Sequence, residues 1–524
     1  MEKGRLKILF DLVPTGDIET DKRIIEKMLD TTRPIHDKNV KDIKKLVDYY
    51  YNKTAIANKS KTQQPDINNK IPINYAEIAV TTINAYCFAN PLTFSARNTE
   101  KESQMKAFLD ALDDDNFSHK AQDMYLNAGI SGLGYRYIVP ATKEQIEDGI
   151  YFETLCDLSP ETTYCVYSND LKKEKTFAVS FFDRKIYDEN LRTSKTITVW
   201  TVWTKYHQWE FYRTGGKWQN AYYTINQGDT AVTYEAFPLT YGKIPVIENK
   251  RKNDGTGDFE LAIALIDAID ALASSRLDAV QQCVDYIILL RDIDTESEGA
   301  LERVKDALKD GILSFKSIQN ATVQPEIDVL DTKLNQSEVQ TLQDFLCSKV
   351  EEVLNIPNRE TRSSGGDTGS AVESRNGFRS LENIAGLVTA SAKKAENESL
   401  AVILAMCSNI DGCPFKDLKP RDIEIKDNRN KVENLNNAST SYATLRGAGM
   451  NDIDALIATR IVPDAQSTAK KNQKEKEEQV KASLEQMRQQ QAITGGNKDS
   501  EGGDKPQANS SQSKNGSNSQ KADE

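Results

Sequence analysis

Ile266, Ile269, Ala273, Leu277, Val280, Val284 and Ile287 recur every three or four residues and draw one apolar stripe along a helix. The helical signal covers 258–290, about 30 residues and therefore roughly 45 Å. Such a rod is too long for an ordinary core helix, so its stripe calls for a partner beyond the chain's own core. One residue after members of the stripe sit Asp267, Asp270, Asp278 and Asp285. These acids form a column beside the apolar one, and the segment holds six acids against a single base, Arg276. Like charges along one flank repel, which predicts that the flank meets water in a channel or basic groups of a neighbour.

A second rod, 337–354, carries Val339, Leu342, Leu346, Val350 and Val353 on one face and stops at Asn355-Ile356-Pro357. Between the rods, a short helix at 297–310 and two strands at 312–318 and 322–330 make a small αββ insert. Residues 358–370 contain no aliphatic or aromatic side chain: Asn358, Arg359, Glu360, Thr361, Arg362, Ser363, Ser364, Gly365, Gly366, Asp367, Thr368, Gly369 and Ser370. That stretch has nothing to bury, and its glycines make ordering costly in entropy, so a mobile loop is expected. A long helical region, 371–410, follows.

The N-terminal third opens with helical periodicity over 21–55, interrupted at Arg33-Pro34 and therefore expected as two helices. A polar stretch at 58–69 precedes further helical segments at 71–96, 102–112 and 117–128. Gly129, Gly132 and Gly134 then lead into a strand at 135–139. From 175 to 247 the period becomes two, and all four tryptophans (Trp200, Trp203, Trp209, Trp218) lie in this β-rich part, with a hairpin turn at Thr214-Gly215-Gly216. A packed antiparallel sheet explains those aromatics better than a sugar or base platform. Toward the C-terminus come a strand at 422–426, helices at 432–445 and 451–459 with Asn451 as cap, and a charged helix from Pro463 to about Gln491. The polar tail beyond Gly495 reads as disordered. The fold class is α+β.

Composition excludes several functions. The 67 basic against 79 acidic residues leave a charge of -12 over 524 residues, unsuited to gripping nucleic acid over a broad surface. Seven cysteines without a CxxC pair and three scattered histidines (His36, His119, His207) make a zinc cage or disulfide framework improbable, and a reducing, aqueous compartment is expected. Neither a signal peptide nor an apolar run long enough for a membrane is read. There is no GxxxxGK[ST], GxSxG or HExxH, and the glycines at 129–134 follow a helix and precede a strand, the reverse of a dinucleotide site. No enzyme, cofactor or metal is therefore expected. A nuclease using scattered carboxylates is the enzymatic rival, and a capsid or scaffolding protein without a DNA channel is the structural one.

This order of segments resembles the portal proteins of tailed bacteriophages, in the family found in siphoviruses of Gram-positive hosts. The resemblance is carried by Tyr75-Ala76-Glu77 through Pro91-Leu92-Thr93-Phe94, by 129–137, by Tyr241-Gly242-Lys243-Ile244-Pro245-Val246 running into Asp258-Phe259-Glu260 and Leu265-Ile266-Asp267-Ala268, and by the loop and helix at 366–382. It implies a wing at 1–257, a two-helix stem at 258–290 and 337–357, and a clip at 291–336. It further implies a tunnel loop at 358–370, a tunnel helix and return to the wing at 371–431, a crown at 432–492 and a disordered tail at 493–524. A ring of about twelve copies at one capsid vertex would pass double-stranded DNA in packaging and ejection. The clip would dock terminase and head-completion (adaptor) proteins, with capsid and scaffolding proteins as further partners and no membrane. The implied location is the virion, after assembly in the host cytoplasm. Acidic channel walls fit that task, because fixed rows of cations would trap the sliding polyanion, whereas Arg359 and Arg362 on a flexible loop touch phosphates transiently.

Overall fold

A computed structural model describes residues 4–62, 65–188, 193–221, 223–227, 230–284, 288–291, 299, 302, 326–329, 336–357, 378–429, 435–459, 461–462 and 465–494. The chain divides into two compact units, Met1–Lys431 and Val432–Glu524.

The first unit opens with helix α1, Ile18–Tyr50, whose N-terminus is capped by Asp17 accepting from the Thr20 amide at 3.0 Å. The two helices expected here are one, because α1 runs straight through Pro34. Proline removes one backbone donor, and Pro34 stands on the exposed side, so water can serve the orphaned carbonyl. Ile25, Met28 and Leu29 before it, and Ile43 and Leu46 after it, are buried and hold both halves. Helices α2 (Tyr75–Phe88), α3 (Glu102–Asp114) and α4 (Phe117–Ser131) follow.

Gly132 ends α4 in the left-handed region, φ +85°, where a Cβ would meet the Gly255 carbonyl oxygen at 1.9 Å. Close packing, and not phosphate binding, is what this glycine serves. The strand after it, β3 (Leu133–Pro140), is the centre of a three-stranded sheet between β4 (Phe152–Leu158) and β13 (Val246–Lys250).

The seven-stranded sheet carries the order β1 (Leu9–Phe10), β5 (Thr163–Ser168), β6, β7, β8 and β12 (Phe237–Pro238), with β9 paired to β8. Its long central pair is β6 (Lys175–Asp188) and β7 (Thr193–Trp203). Strand β8 (His207–Thr214) turns into β9 (Lys217–Ala221) through Gly215 and Gly216, φ +59° and +80°. Two consecutive positive φ values suit a tight hairpin that follows the strand twist. Trp200, Trp203 and Trp209 are buried and Trp218 packs against the same core while donating to Asp30 at 2.9 Å, so the aromatic cluster is structural.

The first rod is shorter than its periodicity suggested. Helix α6 spans Ile263–Val284, 22 residues, and Ile288–Arg291 is a strand (β14) paired antiparallel with Glu326–Val329 (β15). The run Ile287-Ile288-Leu289-Leu290 is apolar on every face, so periodicity alone could not separate helix from strand. The short helix and first strand expected in the insert fall almost wholly outside the described residues.

Helix α7 (Gln336–Leu354) packs against α6, and α8 (Phe378–Cys407) packs against β13, α2 and β3. A buried ion pair ties α8 to β3: Arg136 donates to both Glu396 oxygens at 2.6 and 3.0 Å and to Ser399 Oγ at 2.8 Å, with its guanidinium over the Phe117 ring. Glu396 is also the acceptor for Tyr125. The pair is fully enclosed, which is tolerable only because every polar atom of the carboxylate is met by a donor. From α8 the chain returns through a turn to β16 (Ile423–Lys426), which pairs with β2 (Thr93–Ala96).

Among its described residues the second unit holds three helices, α9 (Leu435–Gly447), α10 (Asp452–Thr459) and α11 (Ala465–Thr494). Asn451 caps α10, its Oδ1 accepting from the Asp454 amide at 2.7 Å. Leu456 and Ala469, with Tyr442 and Val462, form a small core. Among the described residues no helix is long and apolar enough to cross a membrane.

Candidate functional site

The arm made by α6 and α7 is the feature the rest of the first unit positions. Its root is buried: Phe259, Ala262, Ile266 and Ile269 meet Val350, Leu354 and Ile356, with Leu46, Tyr49, Ala76, Ala79 and Val80 behind them. A second buried bidentate pair fixes where the arm starts, Arg251 donating to Asp258 at 2.9 and 2.6 Å. Farther out, Arg276 on α6 donates to Gln340 and Gln343 of α7 at 2.6 and 2.9 Å, a polar crosslink between the two helices.

The apolar stripe changes character along this arm. Ile266 and Ile269 are buried and Ala273 is half-buried, but Leu277 is 37% and Val280 42% exposed. On α7, Leu342 and Phe345 are 50% and 56% exposed, while Val353, next to the root, is 42% exposed. The outer half of the arm thus offers aliphatic and aromatic surface that the chain itself does not cover.

The carboxylate column is arranged differently from the expectation. Asp270 and Asp278 are buried, and a strap formed by residues 54–62 and 65–74 lies on their flank of α6. Tyr49 donates to Asp267 at 2.7 Å; Thr54 Oγ1 and the Ile73 amide donate to Asp270 at 2.6 and 2.8 Å. The Ile71 amide donates to Ser274 at 2.9 Å. Lys59 Nζ, the Asn69 amide and Asn69 Nδ2 donate to Asp278 at 2.7, 2.8 and 2.7 Å. Positions 267, 270, 274 and 278 are successive steps along one helix face, so α6 presents a ladder of acceptors to the backbone and bases of the strap. Asp267, Asp270 and Asp278 therefore meet hydroxyls, amides and a lysine of their own chain.

Burial pushes the Asp270 carboxyl up. At Asp278 burial acts the same way but is outweighed by the Lys59 ammonium and the Asn69 donors, which hold the group down at about 2. Asp285 lies outside the described residues, as do all residues of the loop from Asn358 through Arg359, Arg362, Ser363, Ser364, Gly365, Gly366, Asp367, Thr368 and Gly369 to Ser370. The strap was missed as part of this site. Its signal was present as Lys59, Lys61, Asn69 and Lys70 in a stretch otherwise read only as polar.

Among the described residues no group of three or more His, Cys, Asp or Glu could hold a metal ion. What the arm can do is bind protein: it is a rigidly rooted projection with an uncovered apolar face.

An arm of this kind within an α+β body belongs with proteins that act by assembly. The sequence pattern of the family described as "Phage portal protein, SPP1 Gp6-like" matches residues 29–482, and the chain belongs to that family. It is similar to the portal protein of Bacillus phage SPP1, 23% identical over 397 residues that cover 72% of this chain and 70% of that one. Among solved structures it is similar to a chain in the virion of a native gene transfer agent particle, with a TM-score of 0.38 and 11% identity over 81% of this chain and 94% of that one. A chain in the neck of the native gene transfer agent particle, computed with C12 symmetry, gives a TM-score of 0.39 and 12% identity at the same coverage.

Proposed function

We propose that copies of this portal protein close into a ring of about twelve at one capsid vertex and enclose the channel through which double-stranded DNA is packaged and ejected. The observation that carries this reading is the uncovered outer face of the α6/α7 arm, on a chain of the portal family. A single copy leaves Leu277, Val280, Leu342, Phe345 and Val353 in water. A ring buries each copy's stripe against the next in identical head-to-tail contacts that close on themselves.

In this reading the arm is the stem, 291–336 the clip and 358–370 the tunnel loop. The body at 1–257 is the wing, 371–431 the tunnel helix and its return, and 432–492 the crown. Arg359 and Arg362 supply brief phosphate contacts on a segment too polar to pack. The chain catalyses nothing itself. Terminase docked at the clip does the work of packaging, head-completion proteins replace it afterwards, and capsid and scaffolding proteins surround the wing. Assembly takes place in the host cytoplasm and the product resides in the virion.

End-on electron micrographs of the purified chain are expected to show closed rings with a central pore; a monomer under all assembly-competent conditions defeats the proposal. Deleting residues Ser363 to Gly369 is expected to abolish DNA packaging while leaving the rings intact, and normal packaging by that variant overturns the tunnel-loop assignment.

A further inference from the structure

The solvent face of α1 is basic, on a chain whose net charge is -12. Arg23, Lys27, Thr31, Pro34, Lys38, Lys41 and Lys45 follow one another at steps of four or three residues, so they form one stripe along the helix, and all are exposed. The stripe holds five bases, no acid and no apolar side chain except Pro34. From Arg23 to Lys45 it runs about 33 Å at 1.5 Å per residue, close to one turn of duplex DNA.

The acids of the same helix do not neutralise this face. Between Lys27 and Lys45, α1 has six bases and three acids, and each acid is already in an ion pair: Asp30 with Arg213 at 3.8 Å, Asp37 with Arg33 at 3.9 Å and Asp42 with Arg5 at 3.3 Å. None of those partners belongs to the stripe. Asp48, the next step beyond Lys45, pairs with Lys53 at 3.8 Å. Glu19 precedes the stripe by one step and Glu26 falls off its register. Among the described residues no ion pair or side-chain hydrogen bond reaches the five stripe bases; Lys45 lies over the Tyr49 ring of its own helix at 5.6 Å. Like charges three or four residues apart destabilise a helix, so Arg23 with Lys27, Lys38 with Lys41, and Lys41 with Lys45 all weaken α1 until an anion offsets them. A merely solvated face mixes the signs, as α11 does at Lys474-Glu475-Lys476-Glu477.

We propose that this stripe is a docking face for the phosphodiester backbone of duplex DNA, separate from the loop at 358–370. The kind of polyanion follows from what the stripe lacks. A protein partner needs aromatic or aliphatic anchors at the centre of the contact, and the stripe offers none. Phosphates need only long, flexible cations on a polar surface, which fix position without reading sequence. Binding of this kind is independent of sequence, weak and steeply dependent on salt, so DNA is held against the helix and released again. Where the chain meets DNA rests on the portal reading; the chemistry of the stripe does not.

The test measures binding of the full-length chain to a fluorescent duplex of about 20 base pairs, two helical turns, by anisotropy across a salt series. Each phosphate contact adds about 0.9 to the slope of log K against log salt, so Lys38→Gln, Lys41→Gln and Lys45→Gln together are expected to lower the slope by about 2.7. Between about 50 and 200 mM salt the wild-type chain then loses roughly forty-fold more affinity than the triple variant. Circular dichroism checks that the variant keeps its helices; if it does not, each single substitution, expected to lower the slope by about 0.9, decides instead. No binding by the wild-type chain at the lowest salt, or equal slopes, overturns the proposal. Polyglutamate that displaces the duplex as readily as unlabelled DNA of equal charge also overturns it, in favour of an acidic protein segment. End-on micrographs of the same samples separate the two readings: rings with equal slopes remove this face and leave the portal reading standing, and altered slopes without rings do the reverse.

Discussion

Asp270 and Asp278 show how much one carboxylate's surroundings matter. Eight residues apart on α6, both are buried, yet burial dominates one while a lysine and an asparagine dominate the other. Asp278 is held at about 2, below its ordinary value of 3.8, so its contribution to stability is complete above about pH 4 and disappears as the pH falls through about 2. Asp278→Asn is expected to cost about 1–2 kcal/mol at neutral pH, with the deficit closing as denaturation curves are repeated toward pH 2. A deficit that does not change with pH shows that Asp278 acts by shape alone. The sign is reversed at Asp270, whose raised affinity for a proton makes its contribution decline as the pH rises. The amide of Asp270→Asn can accept from Ile73 and donate to Thr54, so this variant is expected to cost less at pH 7 than Asp278→Asn. The enclosed Arg136–Glu396 pair is more demanding: Glu396→Ala leaves a guanidinium buried without its partner and is expected to cost about 3–5 kcal/mol, measured by urea unfolding.

At the level of elements, α1 and the arm contrast in what holds a helix. Helix α1 persists through Pro34 because buried residues on both sides anchor it, so Pro34→Ala, which restores the missing backbone bond, is expected to raise stability by about 1–3 kcal/mol. Unchanged or lower stability would mean that Pro34 is fitted to a bend the helix needs. The arm has its apolar anchorage only at its root, polar bonds from the strap along one flank, and an exposed apolar face farther out. Leu342→Asp combined with Phe345→Asp is therefore expected to leave the helical content of the monomer unchanged, as read by circular dichroism, while abolishing rings in sedimentation and micrographs. Rings that survive this double substitution place the intersubunit contact elsewhere. The helical periods of α6 and α7, the β-rich run with its Gly215-Gly216 turn and the Asn451 cap were all legible in the sequence, because each depends on residues close along the chain. The continuity of α1 and the strand at Ile288–Arg291 were not. One depends on burial contributed by distant segments, the other on strand pairing between Ile288–Arg291 and Glu326–Val329.

For the whole molecule, the order of segments was enough to identify the portal family, since long helix, insert, return helix and polar loop follow one another along the chain whatever the packing. Composition set the acidic balance and the absence of familiar catalytic motifs. What only the tertiary structure decided is where charge and apolar surface end up. A carboxylate column that reads as a repelling flank becomes a ladder of acceptors once residues about 200 positions earlier in the chain lie across it, as the Asn69 to Asp278 bonds show. The apolar stripe beside it reads as uniform, yet it is core at Ile266 and surface at Val280, because only its first turns reach the hydrophobic cluster that α1 and α2 supply. Periodicity reports which side chains share a face. It carries no information about what that face meets, because hydration and pairing are set by groups that the chain brings in from far away.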